Sequence, residues 1–556
     1  MRRFTMVAAA VLAAIALALT PIGAPRSALA QDKPAEDPKG APITTVDEYQ
    51  FIPAESLPEV KNVSSYEWDP KNPVVKFPIN FWIGWVPIIV ANGGLEPNPD
   101  SIFAKKYGFK VELAVIDNPV NARDAYASGK SHILWGTLDM MVLFAPELTK
   151  DDRTFPRIFQ QIDWSNGGDG VVARNGIKTI NDLRPKDGKK RVIALAQNSP
   201  SHYYILNLLY YAGISPGDVE FKFTGDALQA ARAFVVDPAV DACVSWAPDI
   251  YNIADPKKSG IKDAVLISST ADAKRVIADV WAARADFARD HPDIIQGLVA
   301  GIFEGMDLVK ADKKKAAELF GKAFKIPGEE AEKMFGDAHA TNCAENYSFF
   351  LNRNNAANFE QTWKNITMIY GRSGFVDPAK VPSFDKVMDP RVIEAVRDDF
   401  KHHKDEYTDS FATISIESKI DPATKKEILT RTVRIHFQPN QANVDPAYDP
   451  NAEAIVEEIG RMASQFGAAL IYVEGHGDRS KYEEAKKLGD AYFQRHSQML
   501  KDLSEKRGKG VIEAVLKRFP DLKKEQFHAA GAGWEKPLAN DALSRRVEIR
   551  VLAPEE

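Results

Sequence analysis

Short apolar runs alternate with helix-like stretches over the front half of this chain, and this alternation constrains the fold more than any other feature. From about Pro73 the runs "VVKFPINFWIG", "KVELAVID", "HILWGT" and "RVIALAQ" are separated by stretches such as "NARDAYASGK" and "GDALQAARAFVVD". Strands that take turns with helices build parallel βαβ units, with helices on both faces of a sheet. The pattern therefore predicts an α/β domain.

The segment that follows is almost purely helical in pattern, from "DFARDHPDIIQGLVAGIF" to "WKNITMIYGRSG". We expect these helices to close over the sheets. Residues 373–428 contain prolines, charges and one polar helix, and we interpret them as a connector. His402 and His403 adjoin in that polar helix, where neighbouring side chains point in different directions, so we expect a solvated face and no metal site.

The last part of the chain, residues 429–556, has a different period. "VRIHF" and "RRVEIRVL" alternate apolar and polar residues, which is typical of strands with one covered face. Between them a helical stretch places Ile455, Ile459, Met462 and Phe466 on one face. This pattern predicts a small α+β domain with helices on one side of its sheet.

Residues 1–30 have the three parts of a secretory signal peptide. Arg2 and Arg3 precede an apolar run over residues 6–19, and the small-residue pattern Ala28-Leu29-Ala30 ends it. The run is short for a membrane span, and no later segment is apolar enough for one. We therefore predict export to the periplasm, with the mature chain beginning after this segment.

Residues 31–65 are rich in proline and acidic residues and show no hydrophobic period, so we predict a flexible leader that packs weakly. The chain has two cysteines, Cys243 and Cys343. Export permits a disulfide between them, and two buried thiols fit equally well, because sequence alone does not place their Cα atoms.

Length and charge exclude some classes of partner. The chain has 556 residues, which is room for at least two hydrophobic cores, and its net charge of -6 gives no nucleic-acid footprint. "ASGKS" resembles the end of a phosphate-binding loop, but Asp124 stands where the first glycine of that motif belongs. Neither a metal-ligand spacing nor a nucleophile with its base is evident. We therefore predict no cofactor, no metal and no enzymatic activity.

Six blocks of the front half stand in the order of a known family. They are "INFWIGWVPIIVANGGL", "ARDAYASGKSHILWGTLDM", "GIKTINDLRPKDGKK", "NSPSHYYILNLLYYAGISPGDVEF", "AVDACVSWAPDI" and "ARADFARDHPDII". Their order resembles that of the periplasmic substrate-binding proteins of ABC importers, in the subgroup of nitrate, sulfonate, taurine and thiamine-precursor receptors. The resemblance implies that residues 66–372 form two α/β lobes, a periplasmic-binding-protein fold, closing on a small solute for an ABC permease.

One candidate contact for the solute is a helix N-terminus in the block "AQNSPSHYY". Asn198, Ser199 and Ser201 stand where a strand ends and a helix begins. The free N–H groups and the dipole of a helix N-terminus favour an anionic group. Asn198 or Ser199 is also expected to cap the helix, which is compatible with ligand contact.

Further candidates stand at strand ends, where the resemblance places the ligand cleft. They are Trp82, Trp85, Thr137, Asp139, Trp246 and Asp249. Aromatic residues at strand ends also pack in cores, and that alternative stays open for the tryptophans. Acids close to the expected cleft suit an amine; these are Asp139, Asp163, Asp169 and Asp249. We predict an anionic or zwitterionic solute rather than a sugar.

The back half resembles a second family. "VRIHFQPNQANVDP", "IYVEGHGD", "LSEKRGKGV", "GAGWEKP" and "SRRVEI" follow the order of the OmpA-like peptidoglycan-binding domain. In that family an acid of the turn and an arginine of the next helix hold the diaminopimelate of the wall peptide, which implies this role for Asp478 and Arg507. An acid and a guanidinium match the ammonium and carboxylate of diaminopimelate.

This back half departs from the second family at three points. Gly477 stands where threonine is usual, Ser544 where asparagine is usual, and the stretch between Asp478 and Arg507 is longer. The extra piece is helical in pattern, and two outcomes stay open: it loops out and leaves both residues converged, or it weakens or abolishes binding. A purely structural role stays open, with Asp478 capping the helix near Ser480 and Arg507 as a surface charge.

The sequence thus predicts an exported solute receptor for ABC-type import that is tethered to peptidoglycan. A wall-anchored sensor without transport is the main alternative. A secreted enzyme on the receptor fold is a second, and a spacer between wall and partner is a third.

Overall fold

The computed structural model describes residues 43–54, 57–406, 426–438, 441–467 and 469–553. The predicted signal peptide lies outside the described residues. The strands are β1 (Phe51–Ile52), β2 (Val74–Ile79), β3 (Lys110–Val115), β4 (Ile133–Thr137), β5 (Pro156–Ser165), β6 (Asp169–Ala173), β7 (Arg191–Ala196), β8 (Val219–Thr224), β9 (Ala242–Trp246), β10 (Val265–Ser269), β11 (Ala278–Arg284), β12 (Ala338–Ala340), β13 (Glu427–Val433), β14 (Leu470–His476), β15 (Phe527–Gly533) and β16 (Val547–Leu552).

The helices alternate with these strands in the front half and dominate the middle of the chain. They are α1 (Val86–Asn92), α2 (Ile102–Tyr107), α3 (Pro119–Ala127), α4 (Leu138–Leu148), α5 (Pro200–Ala212), α6 (Ala227–Val236), α7 (Asp249–Ala254), α8 (Pro256–Ser259), α9 (Ala285–Asp290), α10 (Pro292–Ala311), α11 (Lys313–Phe324), α12 (Gly328–Lys333), α13 (Cys343–Leu351), α14 (Phe359–Arg372), α15 (Phe384–Val387), α16 (Arg391–Val396), α17 (His403–Glu406), α18 (Ala452–Gln465), α19 (Tyr482–Lys487), α20 (Asp490–Arg518) and α21 (Asp541–Ser544). None of the helices in the described ranges is long and apolar enough to cross a bilayer.

The front half forms two α/β lobes, as predicted. The first lobe contains the parallel pair β2-β3 and a sheet of order β12-β5-β11-β4, and the second contains a sheet of order β1-β8-β7-β9-β6-β10. Strands β7, β8 and β9 pair in parallel, as the alternation of strand and helix predicts. Strands β5, β6, β10 and β11 pair antiparallel to their neighbours, because they carry the chain from one lobe to the other and back.

The two strand crossings between the lobes lie side by side. The first leads from β5 to β6 and the second from β10 to β11. Thr270, on the second crossing, accepts hydrogen bonds at its Oγ1 from the backbone N–H groups of Gly167 (2.8 Å) and Asp169 (3.2 Å) on the first. These bonds tie the crossings into one hinge.

The described part of the predicted leader is packed, which differs from the prediction. Ile43 is buried, and Phe51 in β1 pairs with Thr224 in β8. Thr45 donates to Asp249 from its backbone N–H (2.9 Å) and from its hydroxyl (2.6 Å). A few anchoring residues hold this segment on the second lobe, although its average composition is that of a weakly packed chain.

The described part of the predicted connector also packs on the first lobe. Val387, Ile393 and Val396 are buried, and Met388 forms a β-bridge with Ile158 in β5. Residues 373–406 therefore have one apolar face in spite of their polar composition. Residues 407–425 lie outside the described residues.

The back half is a small α+β domain, as predicted. Its sheet has the order β13-β16-β14-β15, in which β14 and β15 are parallel and the other pairs are antiparallel. Helix α20 lies very close to this sheet, since a Cβ at Gly475 would fall 2.1 Å from the carbonyl oxygen of Ser504. The extra helical piece does not loop out. It forms α19 and the first turns of α20 instead.

Candidate functional site

A narrow cleft lies between the two lobes at the hinge. Its walls come from the ends of strands and the starts of helices in both lobes. The lining residues are Asn80, Trp82, Asp117, Pro119, Trp135, Thr137, Asp169, Ala196, Ser199, Pro200, Gly225, Asp226, Trp246, Ile277 and Asp279.

Three neighbouring strands of the first lobe bring polar side chains into one row at the cleft. Asp279 on β11 is the cross-strand partner of Thr137 on β4 and of Asp163 on β5. Such partners lie about 4.5 to 5.5 Å apart, so Asp163 and Asp279 form a close pair of acids. Burial raises the pKa of Asp163 to about 7. Burial and the negative charge of Asp163 raise the pKa of Asp279 well above its ordinary value.

The second lobe contributes an acid beside a tryptophan. Asp169 on β6 is the cross-strand partner of Trp246 on β9. The hydroxyl of Ser165 donates to Asp169 at 2.6 Å, yet burial raises the pKa of Asp169 to about 7, and the negative charges of Asp139 and Asp337 add to this shift. Both sides of the cleft therefore carry buried acids that are partly protonated near neutral pH.

Tryptophans form the apolar part of the cleft. The indole N–H of Trp82 donates to the two carboxylate oxygens of Asp163 at 3.3 and 3.2 Å. Trp135 and Trp246 are buried, and within the described ranges their indole N–H groups have no hydrogen-bond acceptor. An indole N–H can only donate, so both point to an acceptor that a ligand would supply.

Four of the predicted contacts line the cleft. They are Trp82, Thr137, Ser199 and Trp246. Ser199 is the N-cap residue of α5, but its hydroxyl donates to the carbonyl of Ala196 at 2.8 Å and does not cap the helix. Pro200 follows it without an N–H group, which reduces the number of donors at the anion site predicted there.

Five predicted contacts lie outside the cleft lining, and packing explains several of these corrections. Trp85 is fully buried and donates from its indole to Asn80 at 2.8 Å, so the core alternative holds for it. Asp139 is buried in the first turn of α4, where the Tyr370 hydroxyl donates to it at 3.3 Å and burial raises its pKa to about 6. The other three are Asn198, Ser201 and Asp249.

Asn198, Ser201 and Asp249 have other surroundings. Asn198 has a left-handed backbone with a φ of 59°, and it does not cap α5. Ser201 is fully buried within α5. Asp249 accepts the hydrogen bonds of Thr45 and so holds the leader on the second lobe. Sequence reasoning placed Asn198 and Ser201 at the start of a helix, but did not show which way each side chain points.

Several cleft residues were missed by the sequence analysis. Asn80, Asp117, Trp135 and Asp226 stand at strand ends or helix starts, a signal that was available. Asp279 stands near the start of β11, and only the pairing of β11 with β4 and β5 brings it to the cleft. A local pattern does not contain that register.

A second group of charged residues surrounds the turn after β14. Asp478 accepts hydrogen bonds from the backbone and hydroxyl of Ser480 and from the guanidinium of Arg545, the last at 2.8 Å. Burial opposes ionisation of Asp478, but these bonds hold its pKa below the ordinary value. Asp478 therefore stays ionised, in a turn with Ser480 and not at the start of a helix.

Arg507 lies in the middle of α20, on the same side of the domain. Its guanidinium stands over the ring of Phe437 at 5.0 Å and donates to the carbonyl of Gln441 at 3.3 Å. Burial lowers the pKa of Arg507, and the charge of Asp478 opposes that shift. The structure thus brings Asp478 near enough to Arg507 to act on its charge, in spite of the longer sequence between them.

His476, the last residue of β14, is buried just before this turn. His476 has no exposed side-chain surface and lies 3.5 Å from Glu548. Glu548 also accepts from Arg546 at 2.8 Å, and Lys536 donates to Glu474 at 2.7 Å. Burial opposes ionisation of Glu548, but its partners His476 and Arg546 lower its pKa to about 2. These pairs fix the strands beneath Asp478.

The adjoining histidines His402 and His403 do not form a wholly solvated face. His403 is buried, and its Nδ1 accepts from the backbone N–H of Cys343 at 3.1 Å. That bond leaves the proton of a neutral ring on Nε2, which lies 3.0 Å from Asp307. Both cysteines are free and buried, so the alternative of two thiols holds.

Comparison with known proteins supports a likeness in the front half. The chain is 27% identical over 202 residues to the taurine-binding periplasmic protein of Escherichia coli (strain K12), covering 35% of this chain and 57% of that relative. The match thus spans little more than half the length of the relative. No protein-family model matches the chain.

Solved structures of binding proteins are also similar to the front half. The periplasmic nitrate-binding protein of Synechocystis PCC 6803 has a TM-score of 0.46 at 15% identity, covering 61% of this chain and 92% of that one. A putative periplasmic sulfonate-binding protein from Methylobacillus flagellatus KT has a TM-score of 0.44 at 18% identity, covering 59% and 95%. The two-lobed fold of this chain rests on its own sheets and not on these low scores.

Proposed function

We propose that this protein is a periplasmic receptor that captures a small solute between its two lobes for ABC-type import. The observation that carries the proposal is a cleft at a hinge of two strand crossings, walled by both lobes. The taurine-binding relative supports the class of protein, while its solute belongs to that relative. The solute, the permease and the export step are parts of the proposal.

The mechanism follows from the geometry of the hinge. A solute that contacts Asp279 in the first lobe and Trp246 in the second touches both walls only when the lobes are closed. Its greater affinity for the closed form shifts the equilibrium toward closure. The closed form is then the one that a permease would recognise.

The receptor proposal is tested by the thermal unfolding of the full chain with a library of small solutes. A true ligand at free concentration L raises the free energy of unfolding by RT ln(1 + L/Kd), so above the dissociation constant the unfolding temperature rises with the logarithm of the ligand concentration. Trp246→Ala removes one wall of the cleft, so it should abolish the shift, whereas Trp363→Phe, buried outside the cleft, should keep it. The proposal would be contradicted if every solute shifted the unfolding temperature of wild type and of Trp246→Ala by the same amount.

We further propose that the back half holds the receptor on peptidoglycan, with Asp478 and Arg507 gripping the diaminopimelate of the wall peptide. An ionised acid close to two guanidinium groups, Arg507 and Arg545, matches a ligand with both ammonium and carboxylate groups. This proposal continues the resemblance of the sequence to OmpA-like domains.

The wall tether is tested by sedimentation with purified diaminopimelate-type peptidoglycan. Wild type should appear in the pellet, and Asp478→Ala and Arg507→Ala should stay in the supernatant. Lys517→Ala, an exposed change on the same helix, serves as the matched control and should sediment like wild type. Wild-type protein that stayed in the supernatant would show that the back half does not bind peptidoglycan.

The proposal contains no catalytic step. Burial raises the pKa of the Cys343 thiol to about 11 and raises that of Cys243 as well. A cysteine nucleophile needs the opposite shift, because the thiolate is the reactive form. A solute recovered unchanged after binding separates a receptor from an enzyme on the same fold.

A further inference from the structure

The cleft has a one-sided charge. Four of its lining residues are aspartates, Asp117, Asp169, Asp226 and Asp279, and its described lining contains neither lysine nor arginine. Two of the four have backbone partners. Asp117 accepts from the backbone of Phe81 at 2.7 Å, and Asp226 caps α6 by accepting from the backbone N–H of Gln229 at 2.9 Å. Asp169 accepts from the Ser165 hydroxyl at 2.6 Å and Asp279 shares a hydrogen bond with Asp163, so neither acid has a cationic partner among the described residues.

Asp169 and Asp279 are buried, and each lies close enough to other acids to be affected by their charge. Asp279 on β11 faces Asp163 on β5 and feels the charges of Asp169 and Asp139, while Asp337 acts on Asp169. Ionised carboxylates in such a place are unfavourable without a cation to compensate them. His339 is near enough to Asp163 to oppose the shift of its pKa in a minor way. A positive ligand would compensate the whole group.

The tryptophans give an independent observation that also points to a ligand. Trp82, Trp135 and Trp246 surround the acids, and each is more than nine-tenths buried. Aromatic faces attract organic cations, most strongly when water is excluded. Within the described part of the chain, the N–H groups of Trp135 and Trp246 lack an acceptor, and an oxygen atom of the ligand would satisfy them.

We infer that the solute of this cleft is a small organic cation whose ammonium group binds Asp169 and Asp279 and whose neutral oxygen accepts from Trp135 and Trp246. This inference rests on the proposed receptor function and narrows its ligand class. It departs from the anionic or zwitterionic solute that the sequence predicted, because a sulfonate or carboxylate would meet four acids and no cationic side chain in this lining.

The direction in which affinity changes with pH distinguishes a cationic solute from an anionic one. An ammonium ion binds best to ionised carboxylates, and burial raises the pKa of Asp169 and of Asp163 to about 7. Affinity for a cation should therefore increase as the pH rises from about 6 to about 8, because fewer protons have to leave. An anion would bind better at the lower pH, where the acids are protonated.

The test is a titration of the full chain by tryptophan fluorescence with three matched two-carbon solutes. Ethanolamine carries an ammonium and a hydroxyl, isethionate carries a hydroxyl and a sulfonate, and taurine carries an ammonium and a sulfonate. Near pH 8 ethanolamine should bind at least about tenfold more tightly than isethionate, since a charge-assisted hydrogen bond contributes about that factor. Taurine should lie between them.

Two substitutions test the ammonium contact and the oxygen contact separately. Asp279→Asn removes one charge and should weaken ethanolamine by about tenfold or more, and it should also reduce the pH dependence. Trp246→Phe keeps an aromatic ring but loses the N–H. It should weaken the binding of ethanolamine more than the binding of ethylamine, which has no hydroxyl. Asp152→Asn, an exposed aspartate away from the cleft, is the control and should bind like wild type.

Three outcomes overturn the inference. The cation site would be contradicted if isethionate bound more tightly than ethanolamine, or if the affinity for ethanolamine increased toward low pH. Either result would leave the receptor proposal intact. A library solute without an ammonium group that shifts the unfolding temperature, together with no ethanolamine binding, would do the same. A cleft that binds no solute of any class would remove the receptor proposal and the inference together.

Discussion

At the scale of single residues, the acids of the cleft are groups that oppose folding near neutral pH. Asp163, Asp169 and Asp279 are each buried, and none of the three has a lysine or arginine partner among the described ion pairs. Burial disfavours their ionised forms, which is why their pKa values are raised. Strongly shifted groups in a cleft are typical of binding sites, where such a cost is compensated by the ligand.

The same acids predict how the stability of the protein without solute depends on pH. The folded pKa of Asp169 is raised to about 7, above its ordinary value of 3.8. Its contribution is therefore fully present below about pH 4 and is lost as the pH rises through about 7. The free energy of unfolding in urea should fall between about pH 4 and about pH 7, and should fall less in Asp169→Asn. An equal decline in both proteins would show that Asp169 is ionised at low pH in the folded state.

At the scale of helices and strands, the sequence predicts what depends on local periodicity. Val547, Ile549 and Val551 alternate with polar residues, and all three are buried on one face of β16. Gly213 ends α5 with a left-handed φ of 66°, as expected of a glycine after a helix. Thr137 and Trp246, which were predicted as ligand contacts from their positions at strand ends, line the cleft.

The elements that the sequence did not predict depend on contacts between distant segments. Asp279 reaches the cleft through the register of β11 with two strands far from it in the chain. The leader has the composition of an unstructured segment, but Thr45 meets its partner Asp249 204 residues further along. The extra piece before Arg507 extends α20 and packs on Trp534: Phe493 stacks on that ring with centroids 5.3 Å apart, and Tyr482 meets it edge-on at 5.1 Å. No local period contains these pairings.

At the scale of the whole molecule, the back domain is docked on the second lobe. Thr430 on β13 donates its backbone N–H to Asn181 at 2.8 Å, and Gln465 accepts from Asn207 at 3.2 Å. The carbonyl of Gln465 also accepts from the backbone N–H of Arg275 at 3.2 Å, and Arg275 lies on the second crossing of the hinge. Asn352, which follows α13 on the first lobe, also donates to Asp521 of the back domain at 3.0 Å, so the back domain contacts both lobes.

The most direct test of the account is to identify what the cleft holds. The mature chain is isolated from periplasm without dialysis, denatured, and the small molecules released are measured by mass spectrometry beside those from Trp246→Ala. The wild-type chain should release one small ammonium compound in an amount near that of the protein, and Trp246→Ala should release far less of it. The same set of molecules from both proteins would contradict it.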